Sequence, residues 1–199
     1  MIVILDSSKE DETSNFKQFS NKEIANRDAI NCRIVNRVHK ILNAVEGLNI
    51  KTTKDFETLE DKIKFINRFN KKNTVLISLG SSQSFLIGGN GVEISYVMGR
   101  PRADKLAKFC INELLRGLRT YNTSFKFKYV HREYEEDICN NIMRKTKCPS
   151  VVINSLSYKD YEQYKLLMND DFIDELAISI AEGVIEFANT VIHKIDIEQ

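Results

Sequence analysis

Thr74-Val75-Leu76-Ile77-Ser78-Leu79 is a short apolar run with β-branched members, followed at once by Gly80-Ser81-Ser82-Gln83-Ser84. It reads as a buried strand that ends in a small-residue segment. Working outward, comparable strand runs are expected at residues 2–5, 49–53, 92–97, 125–130 and 151–154. Between them lie stretches of helical period. Residues 28–45 place Ile30, Ile34, Val38, Ile41 and Leu42 on one face. Thr58 with Asp61 three residues on resembles a capping box and opens a helix that turns Leu59, Ile63, Ile66 and Phe69 inward. Residues 102–118 repeat the pattern through Leu106, Phe109, Leu114 and Leu115, with the Arg and Lys side chains on a solvated face. Residues 172–193 carry a stripe of Leu176, Ile180, Val184, Ala188 and Val191 suited to covering a sheet. Strands alternating with helices predict an α/β fold of three layers, with a sheet of about six strands flanked by helices.

The 199 residues, 42% of them hydrophobic, suffice for one core burying roughly 70% of the surface the unfolded chain exposes. With eight glycines, two prolines and no low-complexity segment to divide the chain, residues 1–199 are expected to form a single domain. Lys and Arg number 29 against 28 Asp and Glu, a net charge of +1. That balance supplies no field to draw in nucleic acid or an anionic membrane, and neither is expected as a partner. The opening residues run straight into a strand without the pattern of a signal peptide, and there is no apolar run of about 18 residues. Synthesis in the cytoplasm is expected, with any release non-classical or dependent on lysis. Cys32, Cys110, Cys139 and Cys148 show neither zinc-ribbon pairing nor the density of a disulfide scaffold, and are expected to be buried or idle thiols.

Taken in order, five segments resemble the zinc N-acetylmuramoyl-L-alanine amidases of bacteria and their phages. An opening strand, Ile2-Val3-Ile4-Leu5-Asp6, is followed by Ser7-Ser8-Lys9-Glu10-Asp11 where the family has Asp-Ala-Gly-His-Gly-Gly. Asn31 and the pair Ile34-Val35 match the start of the family's first long helix. Gly80-Ser81-Ser82-Gln83-Ser84 follows the third strand where the family reads His-Asn-Ala-Ser, and Gly91-Val92-Glu93-Ile94-Ser95-Tyr96 matches Gly-x-Glu-x-Tyr-Tyr. Pro149-Ser150-Val151-Val152-Ile153-Asn154 stands for Pro-Ala-Val-Leu-Val-Glu, and Ile180-Ala181-Glu182-Gly183-Val184 for the terminal-helix signature.

The resemblance implies an amidase-like fold with a mixed, mostly parallel sheet, and also where its chemistry would sit. At the two histidine ligand positions stand Lys9 and Gly80. At the glutamate ligand position stands Arg27, or Glu23 if the preceding loop has shifted by a turn. Asn154 occupies the place of the catalytic glutamate. A zinc site needs electron-pair donors at ~2.0–2.2 Å. Glycine offers none, arginine is always protonated, and lysine must first lose its proton. Two cations would also repel a dication by several kcal/mol each at ~4 Å and an effective dielectric near 20. An amide cannot act as a base near neutral pH.

Other metal arrangements find no support in the sequence. His39 lies twelve residues beyond Arg27, about 18 Å along one helix, and His131 and His193 have no partners at a ligand spacing. The serines at 81, 82 and 84 lack both the Gly-x-Ser-x-Gly elbow and a P-loop ending, and no histidine is expected beside them. The expected protein is therefore a catalytically inactive relative with no cofactor, working by binding or regulation in a cell-wall or lysis setting through a protein partner or a peptidoglycan fragment. Lys9, Arg27, Ser82, Ser84 and Asn154 are the candidate binding residues, either as an anion pocket or as a site whose cations pair with Glu10, Asp11, Glu23 or Asp28. The alternatives are a module binding the peptidoglycan stem peptide and a residual hydrolase whose displaced metal would need Glu23 or Asp6.

Overall fold

The computed structural model describes residues 1–7, 21–82, 91–123, 130–134, 141–157 and 160–197. In chain order these form β1 (Ile2–Ser7), α1 (Asn21–Asn43), β2 (Asn49–Thr52), α2 (Leu59–Ile66), β3 (Thr74–Ser82), β4 (Glu93–Val97) and α3 (Pro101–Gly117). A 3-10 turn at Leu118–Thr123 leads on to β5 (Val130–Tyr134), α4 (Asn141–Lys145), β6 (Ser150–Ser157), α5 (Tyr161–Met168) and α6 (Asp170–Ile197). The described strands make a six-stranded sheet in the order β2-β1-β3-β6-β4-β5. Neighbours run parallel except β4 and β6, which run antiparallel, so the sheet is mixed and mostly parallel, as the amidase resemblance implies.

Side-chain alternation sorts the core into two layers. Val3 and Leu5 of β1, Val75, Ile77 and Leu79 of β3, and Val151 and Ile153 of β6 join Ile34, Val38, Leu106, Leu176 and Ile180 under α1, α3 and α6. Ile4, Leu76 and Val152 face the other way, against Ile66 of α2 and Ile142 and Met143 of α4. Both faces of the central strands are therefore covered, which is why they read as continuous apolar runs rather than as alternating ones.

Most expected elements are present, with shifted ends. α1 starts seven residues before the expected helix and stops two residues sooner. Its first turns are polar and carry no apolar stripe, and its exit is made by Gly47, whose φ of 80° suits glycine alone at little cost. β3 runs three residues past its apolar core, through Gly80, Ser81 and Ser82, and β6 four past Ile153, through Asn154, Ser155, Leu156 and Ser157, because strand pairing continues there. Leu115 was expected inward and instead lies 48% exposed, since Leu114 takes the inward position on that turn. Residues 125–129 of the expected fifth strand fall outside the described residues, and β5 begins at Val130, in register with Glu93 of β4. The short helices α4 and α5 have too few turns to show a period and were not anticipated.

Thr58 caps α2 as its sequence implies: its side chain accepts from the Asp61 backbone N–H at 3.1 Å and donates to the Asp61 carboxylate at 2.8 Å. Replacing Thr58 with alanine is expected to cost about 1 kcal/mol, read as a lower denaturation midpoint with an unchanged slope. Of the cysteines, Cys110 and Cys148 are buried and Cys32 is exposed. Burial pushes the Cys110 thiol up to about 12, which keeps it unreactive as expected of an idle thiol. Cys139 lies outside the described residues.

Candidate functional site

β1, β3 and β6 all point their C-terminal ends at one edge of the sheet, and register fixes what meets there. Asp6 pairs with Ser78, and Gly80 pairs with Asn154 one rung further on. Gly80 is buried, and its carbonyl accepts from the Ser155 hydroxyl at 3.0 Å. Asn154 is half-buried and shares its face of the sheet with Val152, the face covered by α2 and α4. The two positions that the sequence singles out on strands are thus adjacent across a single ladder.

β4 brings a third group to the same place. Running antiparallel to β6, it sets Glu93 directly opposite Asn154, and the Ser95 hydroxyl donates to the Glu93 carboxylate at 3.1 Å. Sequence reasoning quoted Glu93 only as part of a motif and gave it no role. The signal that could have found it is the antiparallel pairing of β4 with β6, which no residue pattern within β4 announces.

Arg27 arrives from the opposite layer. Because α1 joins two adjacent parallel strands, it runs back against them and its first turns lie at the edge where β1 ends. A contact of 3.8 Å between the Ser7 hydroxyl and the Cys32 thiol fixes that level, and Arg27 is five residues nearer the helix start, about 7.5 Å along the axis. Its guanidinium is buried, with Nε and Nη2 both donating to one carboxylate oxygen of Asp28 at 3.1 and 3.0 Å. Asp28 was among the acidic partners anticipated for it. Ser82 closes β3 opposite Ser157 after a register shift, so Gly80-Ser81-Ser82 is strand rather than a nucleophile loop. Lys9 and Ser84 lie outside the described residues, as does the side chain of Glu23.

Beneath this edge sits a buried polar group that the sequence did not reveal. The Asp6 carboxylate accepts from Lys62 Nζ at 2.7 Å, from Ser78 Oγ at 2.7 Å and from Thr53 Oγ1. Lys62 Nζ also donates to the Ser7 carbonyl at 3.1 Å, at the last residue of β1. Asp6 and Lys62 expose only 2% and 8% of their side chains, so the pair is an internal fixture rather than a surface contact. Among the described residues, no three His, Cys, Asp or Glu side chains gather closely enough to hold a metal ion. None of the described helices is long and apolar enough to cross a membrane.

Comparison with known proteins fits this arrangement. A family model described as N-acetylmuramoyl-L-alanine amidase matches residues 11–186. The chain belongs to that family. Solved structures of the amidase fold agree in shape across nearly their whole length. An N-acetylmuramoyl-L-alanine amidase from Clostridium difficile 630 is 16% identical with a TM-score of 0.72, covering 94% of this chain and 96% of its own. The catalytic domain of the amidase CwlV from Bacillus (Paenibacillus) polymyxa var. colistinus is 19% identical with a TM-score of 0.71, over 94% and 98%. The CwlD amidase from Clostridioides difficile, solved in complex with the GerS lipoprotein, is 16% identical with a TM-score of 0.69, over 95% and 98%. At such identities the likeness establishes the amidase fold and nothing finer. No curated protein matches the chain.

Proposed function

We propose that this member of the amidase family is a hydrolytically silent protein that acts by binding or regulation in a cell-wall or lysis setting. The observation that carries the reading is the pairing of Gly80 with Asn154 on adjacent strands. In the family pattern these positions hold a metal-ligating histidine and a catalytic glutamate. Here one has no side chain and the other ends in an amide, which neither donates a strong electron pair to zinc nor takes a proton from water. The zinc ion that the family resemblance implies does not fit this set of groups. Arg27 adds a fixed positive charge at the third position, already ion-paired with Asp28. Among the described residues Glu93 stands directly opposite Asn154, and one carboxylate there is too few donors for a tetrahedral site.

A protein partner suits this reading better than a small substrate. The CwlD amidase, of the same fold, was solved in complex with the GerS lipoprotein, so this architecture can present a surface to another protein. The same groups at the strand ends, Arg27, Asn154 and Glu93, could also hold a peptidoglycan stem peptide by charge-assisted hydrogen bonds.

The deciding experiment measures the zinc content of the purified, unchelated protein together with amidase turnover of peptidoglycan on the same sample. The expected result is neither stoichiometric zinc nor turnover. Stoichiometric zinc with turnover would overturn the proposal and point to a displaced site built around Glu23 or Asp6. Retention of peptidoglycan fragments without turnover would assign the protein to wall binding, and retention of a partner from the native cell to regulation.

A further inference from the structure

The edge of the sheet opposite the meeting of Gly80 and Asn154 is where β3 and β6 begin and where β4, running the other way, ends. The connections gathered there are tied to one another through their backbones. Asn67 donates from Nδ2 to the Lys145 carbonyl at 3.0 Å and accepts at Oδ1 from the Lys147 N–H at 2.9 Å. Arg102, in the first turn of α3, donates to the Lys72 carbonyl at 2.8 Å. Arg100 donates to the Thr146 and Met143 carbonyls at 2.9 and 3.1 Å. Residues 67–72, 98–102 and 143–147 therefore form one braced surface rather than independent loops.

What this surface exposes is cationic. Arg68, Lys71, Lys72, Lys145 and Lys147 are all exposed, and none has a carboxylate at ion-pairing distance among the described residues. The Asp104 carboxylate nearby is held by Lys108 at 2.8 Å, and Glu46 lies before β2, two strands away from β3. Directly after β4, Met98 leaves 52% of its surface in water beside these cations. The net charge of +1 that argues against a membrane partner averages over this segregation. The potential of an anionic lipid surface acts within a Debye length, about 8 Å at physiological salt, so a protein resting on a bilayer responds to the face it presents and not to its total charge. Cations flanking an exposed apolar side chain suit such a surface twice over, since the headgroup phosphates take the charges and the thioether reaches the acyl boundary. A nucleic-acid backbone offers the charge alone.

We propose that this edge is a peripheral docking surface for anionic phospholipid headgroups, with Arg68, Lys71, Lys72, Lys145 and Lys147 meeting the phosphates and Met98 entering the interface. Docked in this way, the chain turns the strand ends that carry Gly80, Asn154 and Glu93 away from the bilayer, where they stay open to a partner or a peptidoglycan fragment. Such attachment needs no membrane-crossing helix, and it stands whether or not the opposite edge hydrolyses anything.

The test sediments the full chain with vesicles of phosphatidylcholine alone and of phosphatidylcholine containing about a third phosphatidylglycerol. Binding to the anionic vesicles only is expected, with release in salt of about 0.5 M, where the Debye length shrinks to roughly 4 Å. Lys72 and Lys147 are exposed, so the double variant Lys72→Gln with Lys147→Gln leaves the core untouched. It is expected to bind roughly 25-fold more weakly, about fivefold for each charge removed. Met98→Ser is expected to weaken binding about fivefold by removing the apolar contact. No preference for the anionic vesicles, or either variant binding as the wild type does, would overturn the proposal. Binding to random-sequence duplex DNA with the vesicles left untouched would also overturn it and assign the cations to nucleic acid.

Discussion

Replacing Gly183 with alanine is expected to lower the melting temperature by roughly 4–8 °C, a net loss of about 2 kcal/mol. The cause is contact between backbones. A Cβ at Gly183 would stand 2.5 Å from the Cys110 Cα, 2.7 Å from its nitrogen and 3.0 Å from the Phe109 carbonyl carbon. None of these atoms can swing aside, so α3 and α6 must separate along a seam that also packs Leu106, Ile180 and Val184. Overpacking of this kind costs about 3 kcal/mol, while alanine returns about 1 kcal/mol through its better helix propensity.

Gly117 provides the control. There the nearest obstacle is the Ser179 hydroxyl at 2.1 Å, the end of a side chain that already bonds to the Glu175 carbonyl and can rotate away. Gly117→Ala is therefore expected to cost about 1 kcal/mol or less. Chemical denaturation of the two variants side by side checks the difference, and equal losses would show that the seam is less tightly set than the backbone contact implies.

The sequence makes the layers legible because burial writes a period into each element. The stripe from Leu176 to Val191 and the apolar cores of β1, β3 and β6 are dictated by which face must be dry, so they survive whatever happens to the chemistry. Asn154 falls on its expected strand for the same reason, while Gly80, expected just past the third strand, lies inside β3 because pairing with β6 continues to Ser82. What the sequence hides is every relation that depends on strand order. Lys62 stands three residues after Leu59 and four before Ile66, on the inward face of α2, but only the fold shows that its ammonium ends beneath the end of β1 against Asp6. Glu93 meets Asn154 because β4 enters the sheet antiparallel to β6, a choice made by tertiary packing rather than by any local pattern. Leu115 fails in the opposite direction. The buried face of α3 runs through Leu106, Cys110 and Leu114, and the spacing of Leu114 and Leu115 alone does not say which of the two will lie on it.

Lys62→Met is expected to destabilise the protein by about 3–5 kcal/mol. Methionine fills most of the lysine's volume but leaves the Asp6 carboxylate buried with only the Thr53 and Ser78 hydroxyls as donors. An uncompensated charge at 2% exposure has no water to replace the lost ammonium. Combining Lys62→Met with Asp6→Asn removes that charge while keeping a side chain that can accept from Thr53 at its amide oxygen and donate its amide N–H to the Ser78 hydroxyl. The double variant is expected to recover about 1–3 kcal/mol relative to the sum of the two single losses, which is the coupling a buried pair should show. A denaturant-unfolding cycle over the four proteins measures it, and strictly additive losses would mean that Asp6 and Lys62 are neighbours without being partners. The pair matters to the site because Lys62 also holds the Ser7 carbonyl, so the charge that neutralises Asp6 anchors the last residue of β1. The buried ion pair thereby holds the end of β1 beside the strand ends where Gly80, Asn154 and Glu93 meet. Preserved shape is what a binding or regulatory role requires, and stability measured at Lys62 is a readout of that scaffold independent of any activity.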